Sequence, residues 1–333
     1  MRVFVTGNRG YIGSHLVELL KAEGHTVTGC DLDLYKVAAW DPVVSPDKEL
    51  VKDVRNLTEA DLEGHDVVMH LAAISNDPMG ELDSNVTKTI NADGSIRLAE
   101  IAKKAGVPRF LFASSCSMYG KGVSLDLDET AELNPVSLYA QSKIDAEQGI
   151  HALADDSFSP ASLRNATAYG YSPVLRVDLV LNNLLASALS YGELRVMSDG
   201  SPWRPLIHCR DIARAFVAFG NAKKEQIHNQ AINVGGDTEN YQVKDVVSTI
   251  QALLPETKVV FTGEVGVDPR NYRVKFDKLS QQLPEFALEY NLAKGAEELL
   301  RKMREHGFDR AAFEGDTYVR LRTLRSQLNK ITA

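Results

Sequence analysis

The chain has 333 residues, 44% hydrophobic and 25% charged, which is ordinary for a globular protein with ample material for a core. Its 37 Lys and Arg against 45 Asp and Glu leave a net charge of −8, so there is no electrostatic case for nucleic acid or anionic membranes as partners. No apolar run approaches the length of a membrane-spanning helix, and the chain enters a strand at once, with no room expected for a signal peptide.

Val3 to Val5 form a short apolar run that reads as a buried first strand. Gly7, Gly10 and Gly13 follow at G-x-x-G-x-x-G spacing, and Ile12, Leu16, Leu19 and Leu20 then recur at helical spacing. Glycines between strand and helix let the backbone turn sharply and approach a ligand. The helix that follows offers free N–H groups to a pyrophosphate. A second apolar run, Thr26 to Asp31, ends in an acid roughly 20 residues on, where a dinucleotide fold keeps its ribose-binding carboxylate. That carboxylate would repel a 2′-phosphate, so NAD is expected rather than NADP. Arg9 tempers this, since a guanidinium there could hold such a phosphate, and Asp33 is the alternative ribose ligand.

Residues 34–49 read as a loop, and Glu49 to Asp53 as a third strand. Asp53 can meet an adenine amino group or cap the next turn. Asp66 to Ala73 is a fourth strand running into small residues, which suit either a close cofactor or plain sheet packing. Residues 86–105 carry an amphipathic helical pattern, and Arg109 to Ser114 is the next strand. This alternation predicts an α/β Rossmann fold, a doubly wound parallel sheet with ligands at the carboxyl ends of its strands. Ser114, Ser115, Cys116 and Ser117 lie at such an end. Cys30, Cys116 and Cys209 are scattered and the eight histidines lack ligand spacing, so neither disulfides nor a metal is expected, and a cytoplasmic location fits.

Tyr139-Ala-Gln-Ser-Lys143 places a phenol and an ammonium on one helical face. A free phenol titrates near 10, too high for an efficient base at neutral pH, and an adjacent cation favours the phenolate. The strand-end serine hydroxyl can hold a substrate oxygen while the phenolate takes its proton.

With these pieces the chain resembles the extended short-chain dehydrogenase/reductases, the sugar-nucleotide epimerase/dehydratase family. The matching stretches are Thr6 to Gly13, Asp53-Val-Arg55, His70 to Ala73, Asn91, Ser114-Ser115 with Tyr119-Gly120, and Tyr139 to Lys143. Leu163 to Gly170, Arg204 to His208 with Asp211, and Asn233 to Gly235 continue them. The resemblance implies NAD held by Gly7, Gly10, Tyr11, Ile12, Gly13, Asp31, Asp53, Val54, Leu71, Ala72, Ala73, Asn91, Tyr139 and Lys143. It implies Tyr139 as catalytic base or acid, Lys143 on the nicotinamide ribose, and Ser115 orienting substrate. It also implies a homodimer through residues 86–105 and 137–154, by fold-level analogy.

Beyond Gly170 the alternation breaks. Residues 1–171 and 205–236 are expected to form the NAD-binding domain. Residues 172–204 and 237–333 are expected to form a smaller substrate-binding lobe and a C-terminal helix. In the family, arginines at the positions of Arg204 and Arg270 grip a nucleotide-sugar diphosphate, where guanidinium forks match phosphate oxygens. Asn182 and Ser117 are further candidate substrate contacts. Tyr318 to Ala333 reads as an amphipathic helix whose basic residues form a solvated face.

Dehydratases that resemble this chain carry Asp-Glu at the positions of Cys116 and Ser117, and the related decarboxylases use a glutamate at Ser117. Elimination and decarboxylation are therefore disfavoured. Cys116 is either a packing residue or, with a lowered pKa, an acid–base group. The expected activity is NAD-dependent epimerisation of a nucleotide sugar, with C4 as the centre. A keto-sugar reductase or dehydratase is the alternative among enzymes, and a non-catalytic dinucleotide sensor the alternative outside them.

Overall fold

Val3, Phe4 and Val5 are fully buried in β1 (Arg2–Thr6), as suits a strand covered on both faces of a sheet. The computed structural model describes residues 1–75, 83–120, 126–263 and 270–332. β1 leads through the glycine turn into α1 (Gly13–Ala22), and β2 (Thr26–Asp31), β3 (Lys48–Val51) and β4 (Val67–His70) follow. The expected helix over 86–105 is α2 (Ser84–Lys88) and α3 (Gly94–Lys104), joined by a π-turn at Thr89–Asp93. β5 (Arg109–Ser115), α4 (Leu138–His151) and β6 (Ser159–Asn165) complete the next units.

These strands and β9, below, form one seven-stranded parallel sheet in the order β3-β2-β1-β4-β5-β6-β9. This is the doubly wound arrangement, and its chain reversal beside β1 opens the crevice where such sheets bind ligands. Leu16, Leu20 and Phe216 pack with Val3 and Val5 on one face, while Phe4, Leu98, Phe110 and Phe112 pack on the other.

After β6 the chain adds a second sheet. β7 (Thr167–Tyr169) pairs in parallel with β8 (Trp203–His208), which pairs antiparallel with β10 (Asn240–Gln242). Between β7 and β8 runs α5 (Val180–Tyr191), and after β8 come α6 (Cys209–Asn221) and β9 (Gln230–Val234). The return to the main body expected at Arg204 thus begins at α6, which packs on α1, while β8 stays with the smaller sheet. α7 (Val243–Leu253) and α8 (Leu292–Glu305) cover α5 through a separate core that includes Leu181, Leu185, Ile250 and Leu299. α9 (Arg320–Thr332) ends the chain. Asp268 and Pro269, just before Arg270, lie outside the described residues, as do Ala333 and the side chains of Leu328, Lys330 and Ile331. Among the described residues, no helix is long and apolar enough to cross a membrane.

Candidate active site

A cleft of about 1290 Å³ runs along the carboxyl edge of the large sheet and under α5. One end is built by the glycine turn. Gly7 has φ +73°, and a Cβ there would lie 2.8 Å from the Ala72 nitrogen. A Cβ on Gly13 would lie 2.0 Å from the Gly7 carbonyl oxygen, so only glycine permits α1 to start this close to the turn. Thr6 ties the turn to the end of β4: its Oγ1 accepts the N–H groups of Leu71 and Ala72, each at 3.2 Å. Gly7, Gly10, Tyr11, Ile12, Gly13, Leu71, Ala72 and Ala73 all line the cleft. This cradle fits a dinucleotide.

Asp31, Asp53 and Val54 line the same end. The Asp31 carboxylate accepts the Asp33 N–H at 2.8 Å and the Arg9 N–H at 3.2 Å, while its burial pushes its pKa up. Arg9 is drawn off by two acids, Asp33 at 2.7 Å and Glu49 at 3.2 Å. Two carboxylates thus hold the guanidinium while a third, Asp31, holds the Arg9 backbone N–H, which leaves the corner hostile to a 2′-phosphate. Asp53 both lines the cleft and caps the turn after β3, accepting the Arg55 N–H at 2.9 Å.

At the other end, Ser115, Ser117, Tyr139 and Lys143 line the cleft together. Lys143 is buried, donates to the Ala113 carbonyl at 2.9 Å and stands 5.8 Å from the centre of the Tyr139 ring. Burial pushes it down to about 7, so near neutral pH a modest change in its surroundings decides its charge. Ser115 accepts the Ser117 N–H at 3.1 Å, and the Ser117 hydroxyl is buried with no hydrogen-bond partner. Cys116 points away from the cleft into the core. Its thiol donates to the Arg164 carbonyl at 3.1 Å, and burial pushes its pKa up, so it is a packing residue.

Behind this end sits a network the sequence reading missed. Glu147 and Arg164, both nearly buried, pair at 2.6 Å. Ser114 donates to Glu147 at 2.8 Å, and Arg164 donates to the Tyr119 hydroxyl at 3.1 Å. Glu147 lies one helical turn beyond Lys143, and that spacing was the available signal.

Two of the residues expected to meet ligands are buried. Asn91, in the π-turn, is fully buried: it accepts the Ile74 N–H at 2.8 Å and donates back to the Ile74 carbonyl at 2.9 Å. It shapes the loop after β4 instead of lining the cleft. Asn182 is also fully buried, accepting the Gly170 N–H at 2.9 Å and donating to the Arg176 carbonyl at 2.7 Å. A buried amide must satisfy its groups within the protein, and besides these backbone bonds Asn91 donates to the Ser142 hydroxyl and Asn182 to the Tyr11 hydroxyl, each at 3.2 Å. Arg204 and Arg270 do line the cleft, with Arg204 donating to the Trp203 carbonyl at 2.7 Å and to the Arg270 carbonyl.

The basic face assigned to the last helix is corrected at one residue: Arg320 is 3% exposed and lines the cleft, as do Arg176 and Asp178. Among the described residues, no group of three or more His, Cys, Asp or Glu could hold a metal ion.

The model of the NAD dependent epimerase/dehydratase family matches residues 3–235. Arg270 and Arg320 lie beyond the matched stretch. The chain is 30% identical over 301 residues to a Bacillus subtilis (strain 168) protein named the uncharacterized UDP-glucose epimerase YtcB, covering 85% of this chain and 92% of that one. Among solved structures it is similar to the NAD-dependent NDP-hexosamine 5,6-dehydratase TunA, with a TM-score of 0.79 and 27% identity over 91% of this chain and 98% of that one. It is equally similar in fold to the UDP-glucuronic acid 4-epimerase of Bacillus cereus in complex with UDP-glucuronic acid and NAD. There the TM-score is 0.79 and the identity 25%, over 92% of this chain and 99% of that one.

Proposed function

This chain belongs to the NAD-dependent epimerase/dehydratase family of sugar-nucleotide enzymes, and within it we propose that the chain is a nucleotide-sugar 4-epimerase. One observation carries the choice of reaction. The two positions after Ser115 hold the Cys116 thiol, turned into the core, and the neutral hydroxyl of Ser117, a cleft-lining residue. Elimination of water needs a further acid–base group next to the reacting carbons, and neither residue supplies a carboxylate there.

Bound NAD supplies the oxidation and reduction at the sugar carbon. The Tyr139 phenolate takes the proton of the C4 hydroxyl and returns it to the same oxygen once the sugar has turned over. Ser115 donates a hydrogen bond to that oxygen and holds it in reach. Lys143 holds the nicotinamide ribose, and its charge favours the phenolate. Arg204 and Arg270 hold the substrate diphosphate at the far side. Hydride and proton both return to the sugar within each cycle, so no external reductant is consumed.

The test is to incubate the enzyme in D₂O with UDP-glucose, UDP-glucuronic acid and UDP-N-acetylglucosamine, without added cofactor, and to read the products by proton NMR. The expected product is a 4-epimer of one of them with no deuterium on carbon. Loss of water from the sugar would identify a dehydratase. That reading is the second one, favoured by the likeness to the NDP-hexosamine 5,6-dehydratase.

A further inference from the structure

Arg320 is the first residue of α9, and its burial has a backbone cause. The Val177 N–H donates to the Tyr318 carbonyl at 2.9 Å, which lays the start of the helix beside residues 176–178. The Arg320 guanidinium then stacks 4.0 Å from the centre of the Tyr35 ring. Its Nη1 is buried and has no hydrogen-bond partner among the described residues. Arg176 is close by, paired with Asp178 at 3.0 Å, donating to the Ser75 hydroxyl at 3.1 Å and standing 6.0 Å from the centre of the Tyr11 ring. A buried cation with an unsatisfied donor is costly unless an anion meets it.

The two arginines flank a defined part of the cleft. Tyr11 and Ser75 mark the glycine-turn side, while Tyr35 marks the side toward Asp31. A dinucleotide held by the glycine turn and Asp31 must run its diphosphate across that interval. The floor there offers backbone N–H groups. The nearby floor cations are already engaged, Arg9 by Asp33 and Glu49, and Lys52 by Asp61 at 2.7 Å. Burial first, and then the neighbouring Arg176, lower the pKa of Arg320 to about 10, against the opposing pull of Tyr35, Asp178 and Asp31.

We propose that Arg320 is a cofactor-binding residue, brought in by the C-terminal helix to pair with the dinucleotide diphosphate opposite the glycine turn, with Arg176 beside it. The proposal rests on the reading that the glycine turn and Asp31 hold the dinucleotide. The last helix is then part of the cofactor site, and retention of the cofactor depends on its docking.

Calorimetric titration of the cofactor-stripped full chain with NAD, ADP, adenosine and UDP tests it. Arg320→Gln is expected to weaken NAD and ADP about tenfold, the worth of one charge-assisted hydrogen bond, while leaving adenosine and UDP unchanged. Asp31→Ala serves as the control and is expected to weaken NAD, ADP and adenosine alike. Wild-type affinities in Arg320→Gln beside a weakened Asp31→Ala overturn the proposal and leave the dinucleotide site standing. Wild-type affinities in Asp31→Ala overturn the site reading itself, and the proposal with it. Equal losses on ADP and adenosine, or a loss on UDP alone, place Arg320 elsewhere and also overturn it. Should Arg320→Gln fail to fold, Arg320→Lys keeps the charge without the planar fork. It must still lose several-fold on NAD and ADP, and unchanged binding counts against the proposal.

Discussion

The floor and the roof of the cleft are made differently. The floor is the carboxyl edge of β1, β4 and β5 with the start of α4, and it presents backbone groups, small residues and the Ser115, Tyr139 and Lys143 side chains. It is braced from behind by the buried Glu147–Arg164 pair. The roof is an assembly of long side chains, Arg176, Asp178, Arg204, Arg270 and Arg320, drawn from segments far apart in the chain. A rigid floor suits proton transfer, which needs fixed geometry. A roof of arginines suits grip on phosphates, which needs charge and hydrogen-bond donors.

Breaking the floor at its chemical centre gives the largest expected effect. Tyr139→Phe is expected to lower turnover about 10³-fold, within the range for a positioned proton-transfer group, while NAD affinity stays at the wild-type value. Steady-state kinetics beside calorimetry read both, and a parallel loss of NAD binding would show that the phenol is a structural part of the floor.

The brace comes next. Glu147→Ala leaves the Arg164 cation buried and unpaired, which is expected to cost about 3–5 kcal/mol of stability. Denaturant unfolding measures it, and a loss below about 1 kcal/mol, the worth of an exposed pair, would mean that the network does not hold the floor rigid.

The last prediction concerns Lys143. Its folded pKa of about 7 lies below the ordinary 10.5, so between these values the unfolded chain binds more protons and stability rises with pH. The isosteric Lys143→Met lacks this slope. In cofactor-stripped protein its melting temperature should exceed that of wild type near pH 7, and the gap should close toward pH 10. A gap that stays constant with pH would contradict the buried, desolvated lysine.

The same division explains what the sequence disclosed. Gly7, Gly10, Gly13 and Asp31 belong to one short βαβ stretch, and Tyr139 and Lys143 to one helical turn, so local spacing was enough to bring them together. The burial of Asn91 and Asn182 was not legible, because an amide that clamps buried groups looks the same in sequence as one that meets a ligand. Arg320 sits among Arg322 and Arg325, and helical periodicity says which residues share a face but not which face meets the cleft. Its position depends on the pairing of residues 177 and 318, which no local pattern records. Cys116 was left open between packing and chemistry, and its burial decides for packing.

Native mass spectrometry of the purified chain, before and after gentle denaturation, tests the central claim most directly. An epimerase that recycles its cofactor within each turnover, under a roof that clamps the diphosphate, should arrive carrying about one tightly held NAD per chain. A chain that arrives empty and then binds NADPH more tightly than NAD would contradict the account, overturning the reading of Asp31 and pointing to a reductase.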